Sequence, residues 1–457
     1  MTIAAKSSKK STGFIRNSTL ILLAFATAFF PRVLDNVGAP STINFVHFAT
    51  IPLATVCVIA TSRSKNRYQV AISWSLLIAL LALLGVMLAS ALVNGAGIIN
   101  VVLDFMLLGE PFVLLLALVS IPMSSGSFQQ IKKWLIYFNF THILFAYFQC
   151  YVLRLPATRI AGGDLVQGVF YFSGAGHVVG SSVALIFGMY YFISAKTTPL
   201  WLRVTVMLAA FWQMIISDAK QVILTFMVAG ALLMLTKFKD IGKLFQYLAI
   251  AIVFGYAFLW CMENVPAFRS FNTWVRPEIY GPDGEATLLK SASLRIIPSF
   301  YESPLNWLLG LGPGHTVGRL GGWMLEDYWS LLSPFGATIH PASQAVWDAV
   351  TASWLGDQSS MFSPLFGWAG IWGDLGLLGL GAYLYLGWIV WQKLCKDDFS
   401  KFLVLNVFVV GLIFSQMEEP GYMLTVATLI GLQWQEHRAT RRSPSLPVQL
   451  KSGVVSH

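Results

Sequence analysis

The stretch VAISWSLLIALLALLGVMLASALV, residues 70–93, contains no charged side chain and is long enough to cross the roughly 30 Å hydrocarbon core of a bilayer as one helix. A soluble fold has no place for many such segments. Further apolar runs of about 17–25 residues lie near 18–33, 43–61, 100–121, 134–155, 177–195, 199–216, 220–236, 244–262, 367–391, 401–417 and 420–435, giving about twelve candidate spans. Composition agrees: only 11% of the 457 residues are charged and the mean hydropathy is +0.67, which leaves too few charges for a solvated surface. The chain is expected to be an all-α polytopic membrane protein with about twelve transmembrane helices.

Cations set the orientation, because Lys and Arg beside span ends are retained on the cytoplasmic side. Lys6, Lys9, Lys10 and Arg16 precede the first span, and every second connection is basic: Arg63, Lys65 and Arg67; Lys132 and Lys133; Lys196 and Arg203; Lys237, Lys239 and Lys243; Lys393, Lys396 and Lys401. The tail adds Arg438, Arg441, Arg442 and Lys451. Both termini are therefore expected in the cytoplasm. The net charge of +9 is a topology signal, and no nucleic-acid partner is expected. The first apolar segment has no small-residue cleavage site behind it and is expected to be retained. Cys57, Cys150, Cys261 and Cys395 stand singly, in neither a disulfide framework nor a metal knuckle.

One interval interrupts the alternation. Residues 263–366 contain no convincing span and fall on the outer side, so the expected division is 1–262 for helices one to nine, 263–366 for a large extracytoplasmic loop, 367–435 for helices ten to twelve and 436–457 for a cytoplasmic tail. Within the loop, ASQAVWDAVTASWL has the spacing of an amphipathic helix and is expected to lie against the membrane face. The pattern G-x-G-H-x-V-G occurs twice, as GAGHVVG from Gly174 to Gly180 and as GPGHTVG from Gly312 to Gly318. One reading is coincidence in a chain with 38 glycines; the sharper one is two glycine turns aiming backbone N–H groups and a histidine at one anion.

The outer cations are Arg32, Arg154, Arg159, Lys220, Arg269, Arg276, Lys290, Arg295 and Arg319. Arg295 could grip a diphosphate with its planar fork; Lys220, at the start of the eighth span, would add its ammonium to a helix N-terminus; Arg154 and Arg159 could line the same pocket. Each also has a bland reading as an interface anchor. His177, His315 and His340 are titratable groups suited to general-base work, and the carboxylates Asp164, Asp218, Glu302 and Asp357 could fill the same role. Metal spacings such as HExxH and CxxC are missing, so no metal or other cofactor is expected. Asp104 and Glu110 lie within the fourth span, where a carboxylate is a functional candidate. At about 100° per residue they do not share a face, and Glu110, beside Pro111, is expected to cap or pair at a kink.

Three segments resemble the O-antigen polymerase and O-antigen ligase superfamily. RIIPSFYESPLNWLLGLGPG, from Arg295, is similar to the block in which an arginine opens a helix closed by a glycine-rich turn. SPLFGWAGIWGDLGLLGLGAYLYLGWIVW is similar to the following span, and SDAKQVILTFMVAGALLML to the start of the eighth. The resemblance implies a metal-independent membrane glycosyltransferase of the bacterial cytoplasmic membrane, whose donor is an undecaprenyl-diphosphate-linked glycan and whose partners are the bilayer and, by extension, chain-length regulator and flippase proteins. It places Arg295 on the diphosphate and Lys220 where an arginine usually stands. It departs from the ligases, whose His-Asn pair is replaced here by GDQSSMFSPLFG, which leaves His315, His340 and Asp357 as the bases to weigh. Polymerisation of lipid-linked repeats is the expected activity, ligase-type transfer to an acceptor the alternative. A secondary transporter of about twelve spans would show related halves and discontinuous helices, and the halves here do not resemble each other.

Overall fold

The computed structural model describes residues 16–62, 66–157, 162–171, 175–237, 241–265, 268, 271–356 and 360–442. Arg159, Asp357 and Arg269 lie outside them, as do the charges before Arg16 and Lys451. The described residues are helical, with no strand among them. Thirteen longer helices organise the described residues: α1 (Asn17–Phe29), α2 (Val46–Thr61), α3 (Arg67–Asn94), α4 (Ile98–Ser120), α5 (Ser125–Tyr147), α6 (Gly176–Ser194), α7 (Leu200–Ile216), α8 (Gln221–Leu235), α9 (Ile241–Asn264), α10 (Pro341–Thr351), α11 (Gly367–Ile389), α12 (Asp398–Gly411) and α13 (Pro420–Arg442).

Their ends obey local chemistry. Asn66 caps α3 by accepting from Gln69 N–H at 3.1 Å, and Gly95 ends the helix in the left-handed region at φ +65°. Asp397 caps α12 through Ser400 N–H at 2.8 Å. Such caps satisfy donors that a helix start leaves orphaned.

Among the described residues, five helices are long and apolar enough to cross a membrane: Ser41–Thr61, Arg67–Asn94, Ile98–Ser120, Gly176–Ser194 and Ser360–Leu394. Large apolar side chains also point outward from them, Leu53, Trp74, Leu81 and Leu92 among them, which requires an apolar surrounding rather than water. α4 is the inner helix of this group, packed between α2, α3 and α13, while α13 also touches α1, α6 and α12. At Gly431 of α13 an added methyl would come within 2.9 Å of Leu118, so the glycine sets the α4–α13 approach.

Basic side chains gather at one end of the bundle. There Lys132 donates to Ser194 O at 3.4 Å, Arg203 to Phe192 O at 2.9 Å and Lys393 to Ser75 Oγ at 2.6 Å, and Lys237 pairs with Asp398. The opposite end carries the 265–366 interval.

That interval has a small cluster of its own, Ile279, Ala286, Leu289, Leu355 and Phe362, and also packs on the bundle. Leu320, Met324 and Leu325 pack on Leu103 and Leu107 of α4, and Ile297, Leu311 and Val317 share a cluster with Ala369 of α11. α10 is the expected amphipathic helix, but its buried face, Ala342 and Val346, lies in this protein cluster. The apolar stripe is consumed by packing inside the chain, which corrects the expectation that it rests on a membrane face.

Candidate functional site

Eleven consecutive residues, Gly310 to Leu320, are buried although only the last two are helical. A buried loop must find a partner for every backbone polar group, and here the partners come from α11. Gly376 interrupts that helix at φ +64°, ψ −162°, and the loop takes the carbonyls next to the break: Leu311 N–H donates to Gly373 O at 2.8 Å and Gly312 N–H to Asp374 O at 3.0 Å. A methyl on Gly310 would lie 2.3 Å from Asp374 C, and one on Gly376 2.3 Å from Leu308 C. Only glycines permit that crossing.

The Asp374 carboxylate then fills the turn. Its Oδ2 accepts from Gly314 N–H at 3.0 Å, and its Oδ1 from Thr316 N–H at 2.7 Å and Thr316 Oγ1–H at 2.6 Å. Asn100 of α4 holds the far side, donating to Pro313 O and Thr338 O at 2.9 Å each. The second glycine turn is thus an anion nest of the expected kind, occupied by the chain's own carboxylate. The first, from Gly176, is the opening of α6. His177 of the first motif contacts Asp164, whereas His315 of the second contacts Leu311, Thr338 and His340.

Behind the loop stand further carboxylates. Glu418, in the short turn Ser415–Glu418, accepts Arg319 N–H, and Arg319 pairs with Glu419 and lies 5.1 Å over the Trp323 ring. Burial pushes Glu418 up to about 8, and the neighbouring Asp374 charge adds to this, against the Arg319 N–H and guanidinium. Asp104 is buried with Oδ2 unpartnered. Glu110 is bound through both oxygens to His47 Nδ1 of α2 at 2.9 Å, the pairing beside Pro111 that the sequence suggested.

His315 and His340 do come together, stacked with ring centroids 5.5 Å apart. His315 Nδ1 lies 2.8 Å from Leu311 O, which can only accept, so Nδ1 carries the proton and Nε2 accepts from Thr338 Oγ1 at 2.8 Å. His340 caps α10, its Nδ1 accepting Ala342 N–H at 3.1 Å. Burial lowers both from the ordinary histidine value. Each has spent its lone pair on the fold, which leaves neither free to take a proton.

The remaining expected residues fall at two other places. Lys220 pairs with Asp218, and His177 lies 3.7 Å from Asp164; the four form one cluster at the mouth of α6 and α8. Burial raises Asp164, and His177 pulls it back. Arg154 is exposed, with φ +52°. Arg295, also exposed, spends its fork on the preceding turn, NH2 donating to Leu288 O at 2.7 Å and Nε to Ser291 Oγ at 3.2 Å. It is not part of the buried site. Asp374, Thr316, Glu418 and Glu419 were missing from the expected site. Asp374 was findable, since the rule that marks an intramembrane carboxylate in Asp104 applies equally to GIWGDLGLLGL; Glu418 and Glu419, in a short connection, carry no such mark.

No known family model matches this chain, and no curated protein matches it.

Proposed function

We propose that this chain is a membrane glycosyltransferase that joins lipid-diphosphate-linked oligosaccharide repeats into a polymer at the loop end of its bundle, in the bacterial cytoplasmic membrane, with the basic end facing the cytoplasm and about twelve helices crossing. The observation that carries this reading is the placing of Asp104, Asp374 and the Asp164–His177–Asp218–Lys220 cluster toward the loop end of the helices. Asp104 is the seventh residue of α4 and Asp374 the eighth of α11, which at 1.5 Å per residue sets them about 10 Å from the loop end, and the Asp164–His177–Asp218–Lys220 cluster opens on that same end. An enzyme that meets lipid-linked substrates at one membrane face needs its polar groups there.

In this scheme the bond from the anomeric carbon to the diphosphate breaks, the diphosphate leaves with the electron pair, and the acceptor sugar hydroxyl forms the new glycosidic bond. Lys220, in the Asp164–His177–Asp218 cluster, would stabilise the leaving charge, with Arg295, Arg154 and Arg159 as the further cations of this reading. Engaged as they are, His315 and His340 yield the base role to a carboxylate. Asp164, half-exposed beside His177 and raised by burial, suits it. Arg295→Ala, with the protein retained in the membrane, is expected to abolish polymer; normal polymer would remove Arg295 from the site.

A second reading, a proton-coupled transporter, draws support from the break at Gly376 and the buried carboxylates. Against it stands the loop, which Asn100 of α4 and Asp374 of α11 both hold. The deciding experiment is the chain-length profile of lipid-linked glycans in cells lacking this protein. Single repeats accumulating on the carrier are expected; long chains stranded on the carrier would mean ligase-type transfer, and an unchanged profile would favour the transporter.

A further inference from the structure

α11 and α12 follow each other in the chain, yet they do not close on each other. Between them lies a cleft of about 580 Å³, within the range of pockets that hold small ligands, about 300–1,000 Å³. Trp388 and Trp391 wall it on one side and Val404 and Phe408 on the other, with Phe112 of α4 and Met423 of α13 as its floor. A closed void of that size would forfeit packing on every wall. This one opens outward past exposed side chains, Trp388 and Phe408 among them, so it is filled by whatever surrounds the helices, and around a membrane-embedded bundle that is hydrocarbon.

Its depth matches one leaflet. The α11 side runs from Tyr383 to Trp391, about 12 Å at 1.5 Å per residue, against roughly 15 Å for half of a 30 Å hydrocarbon core. On α4 the floor lies between Pro111 and Leu115, and that helix ends at Ser120, which sets it about 8–14 Å from the helix end. Ser120 meets Ser73 of α3, one turn from the Ser75 that Lys393 holds. The cleft therefore belongs to the basic end of the bundle.

That end carries the charge that a phospholipid headgroup needs. The Lys401 ammonium lies 5.7 Å over the ring of Trp391, the last wall residue of α11's side. Lys396 and Lys393 flank the same connection, donating to Gln392 O at 2.9 Å and to Ser75 Oγ at 2.6 Å. The carboxylates beside them are engaged elsewhere: Asp397 accepts from Ser400 N–H at 2.8 Å and from its Oγ–H at 3.0 Å, and Asp398 pairs with Lys237. Ammonium groups without a carboxylate partner, at an apolar mouth edged by tryptophan, are suited to an anionic headgroup at a membrane surface.

We propose that this cleft binds one anionic glycerophospholipid of the leaflet at the basic end, an acyl chain lying between α11 and α12 and the phosphate resting on Lys401. The lipid completes the packing that the two helices leave open and ties α12 to α11. This inference does not depend on the glycan-transfer reading.

Two glycines of α11 supply the test. A side-chain atom added at Gly387, which lines the cleft, or at Gly381, which does not, meets nothing within 4 Å. Phenylalanine forms helix better than glycine, so Gly387→Phe fills the cleft and Gly381→Phe is its control. The full chain is taken from nanodiscs of equal phosphatidylglycerol and phosphatidylcholine, and the lipid it retains is counted by native mass spectrometry. Wild type and Gly381→Phe are expected to keep a phosphatidylglycerol. Gly387→Phe is expected to lose it by about tenfold or more, and Lys401→Gln to reduce the preference for phosphatidylglycerol about fivefold. Equal retention in Gly387→Phe and wild type, or a wild type that keeps phosphatidylcholine as well as phosphatidylglycerol, would overturn the proposal. So would displacement of the phospholipid by an equal amount of a polyprenyl phosphate, which would assign the cleft to an isoprenoid chain. Should Gly387→Phe fail to fold, the headgroup preferences of the wild type and Lys401→Gln still decide.

Discussion

The same seven-letter pattern builds two different objects in this protein. From Gly176 to Gly180 it starts a helix, and its glycines serve close approach: an added methyl would meet Phe170 O at 2.3 Å from Gly176, and Gln167 O and the His142 ring at 2.9 Å from Gly180. From Gly312 to Gly318 it runs through the left-handed region, at φ +112° for Gly312 and +69° for Gly314. The local letters allow both, and the tertiary partner selects. His142 receives the first motif, its Nε2 donating to Gly180 O at 2.9 Å and its Nδ1 accepting Val169 N–H at 3.2 Å; Asp374 receives the second. A group that both donates and accepts suits a helix laid against a loop, whereas a carboxylate that only accepts suits a turn whose N–H groups all point inward.

The largest effect is expected from removing the second receiver. Asp374→Ala orphans three buried donors, each costing about 1–3 kcal/mol, so a loss of several kcal/mol and failure to accumulate in the membrane are expected. His142→Ala orphans one donor and one acceptor and vacates a ring, with an expected loss of about 2–4 kcal/mol. Thermal unfolding of both variants in nanodiscs checks the order. A larger loss at His142 would mean that the loop is held by its packing rather than by Asp374.

Backbone geometry sharpens the contrast next. Gly312→Ala forces a side chain into a region that costs about 1–3 kcal/mol and sets its methyl 3.0 Å from Ala96 Cβ. Gly180→Ala meets contacts as tight but keeps a helical backbone, where alanine is favoured by about 1 kcal/mol. Gly312→Ala is therefore expected to be the more damaging, and the reverse order in unfolding midpoints would break the distinction between glycine used for φ and glycine used for space.

How much of this could be read from sequence follows from range. Each apolar run named from the letters contains a helix, because a run of Leu, Ala and Val states its own conformation. The Glu110 pairing was foreseeable from a carboxylate beside a proline in an apolar run. The descent of GLGPGHTVG into the bundle was not. That segment has no period, and its partner Asp374 lies 58 residues from Thr316 along the chain. The state of the histidines was illegible for a related reason. Sequence shows a titratable ring but not whether its lone pair is already spent, and here Thr338 Oγ1–H and Ala342 N–H had claimed both.

The smallest expected effect concerns an anchor that the helical motif lacks. Lys290 ties the loop region to the bundle, its Nζ donating to Ser363 O at 2.9 Å and Ile413 O at 3.1 Å and lying 4.3 Å from the Phe366 ring centroid. Burial pulls it down to about 7 from an ordinary value of 10.5, against the acceptors and ring, which favour the ammonium. A depressed lysine contributes stability that is present above its unfolded pKa and lost as the pH falls through its folded one, so stability rises with pH between about 7 and 10.5. Glu418, raised to about 8 from 4.5, acts with the opposite sign: its contribution is full below 4.5 and declines until about 8. Together they place a shallow stability minimum near pH 8. Lys290→Met is expected to flatten the rise above it, an effect of about 1 kcal/mol after screening, and Glu418→Gln to flatten the fall below. Unfolding midpoints between about pH 5 and 9 would separate the two, and an undiminished rise between about pH 8 and 9 in Lys290→Met would take Lys290 out of the account; above that, Arg319, pulled down to about 9 by burial, adds a rise of the same sign.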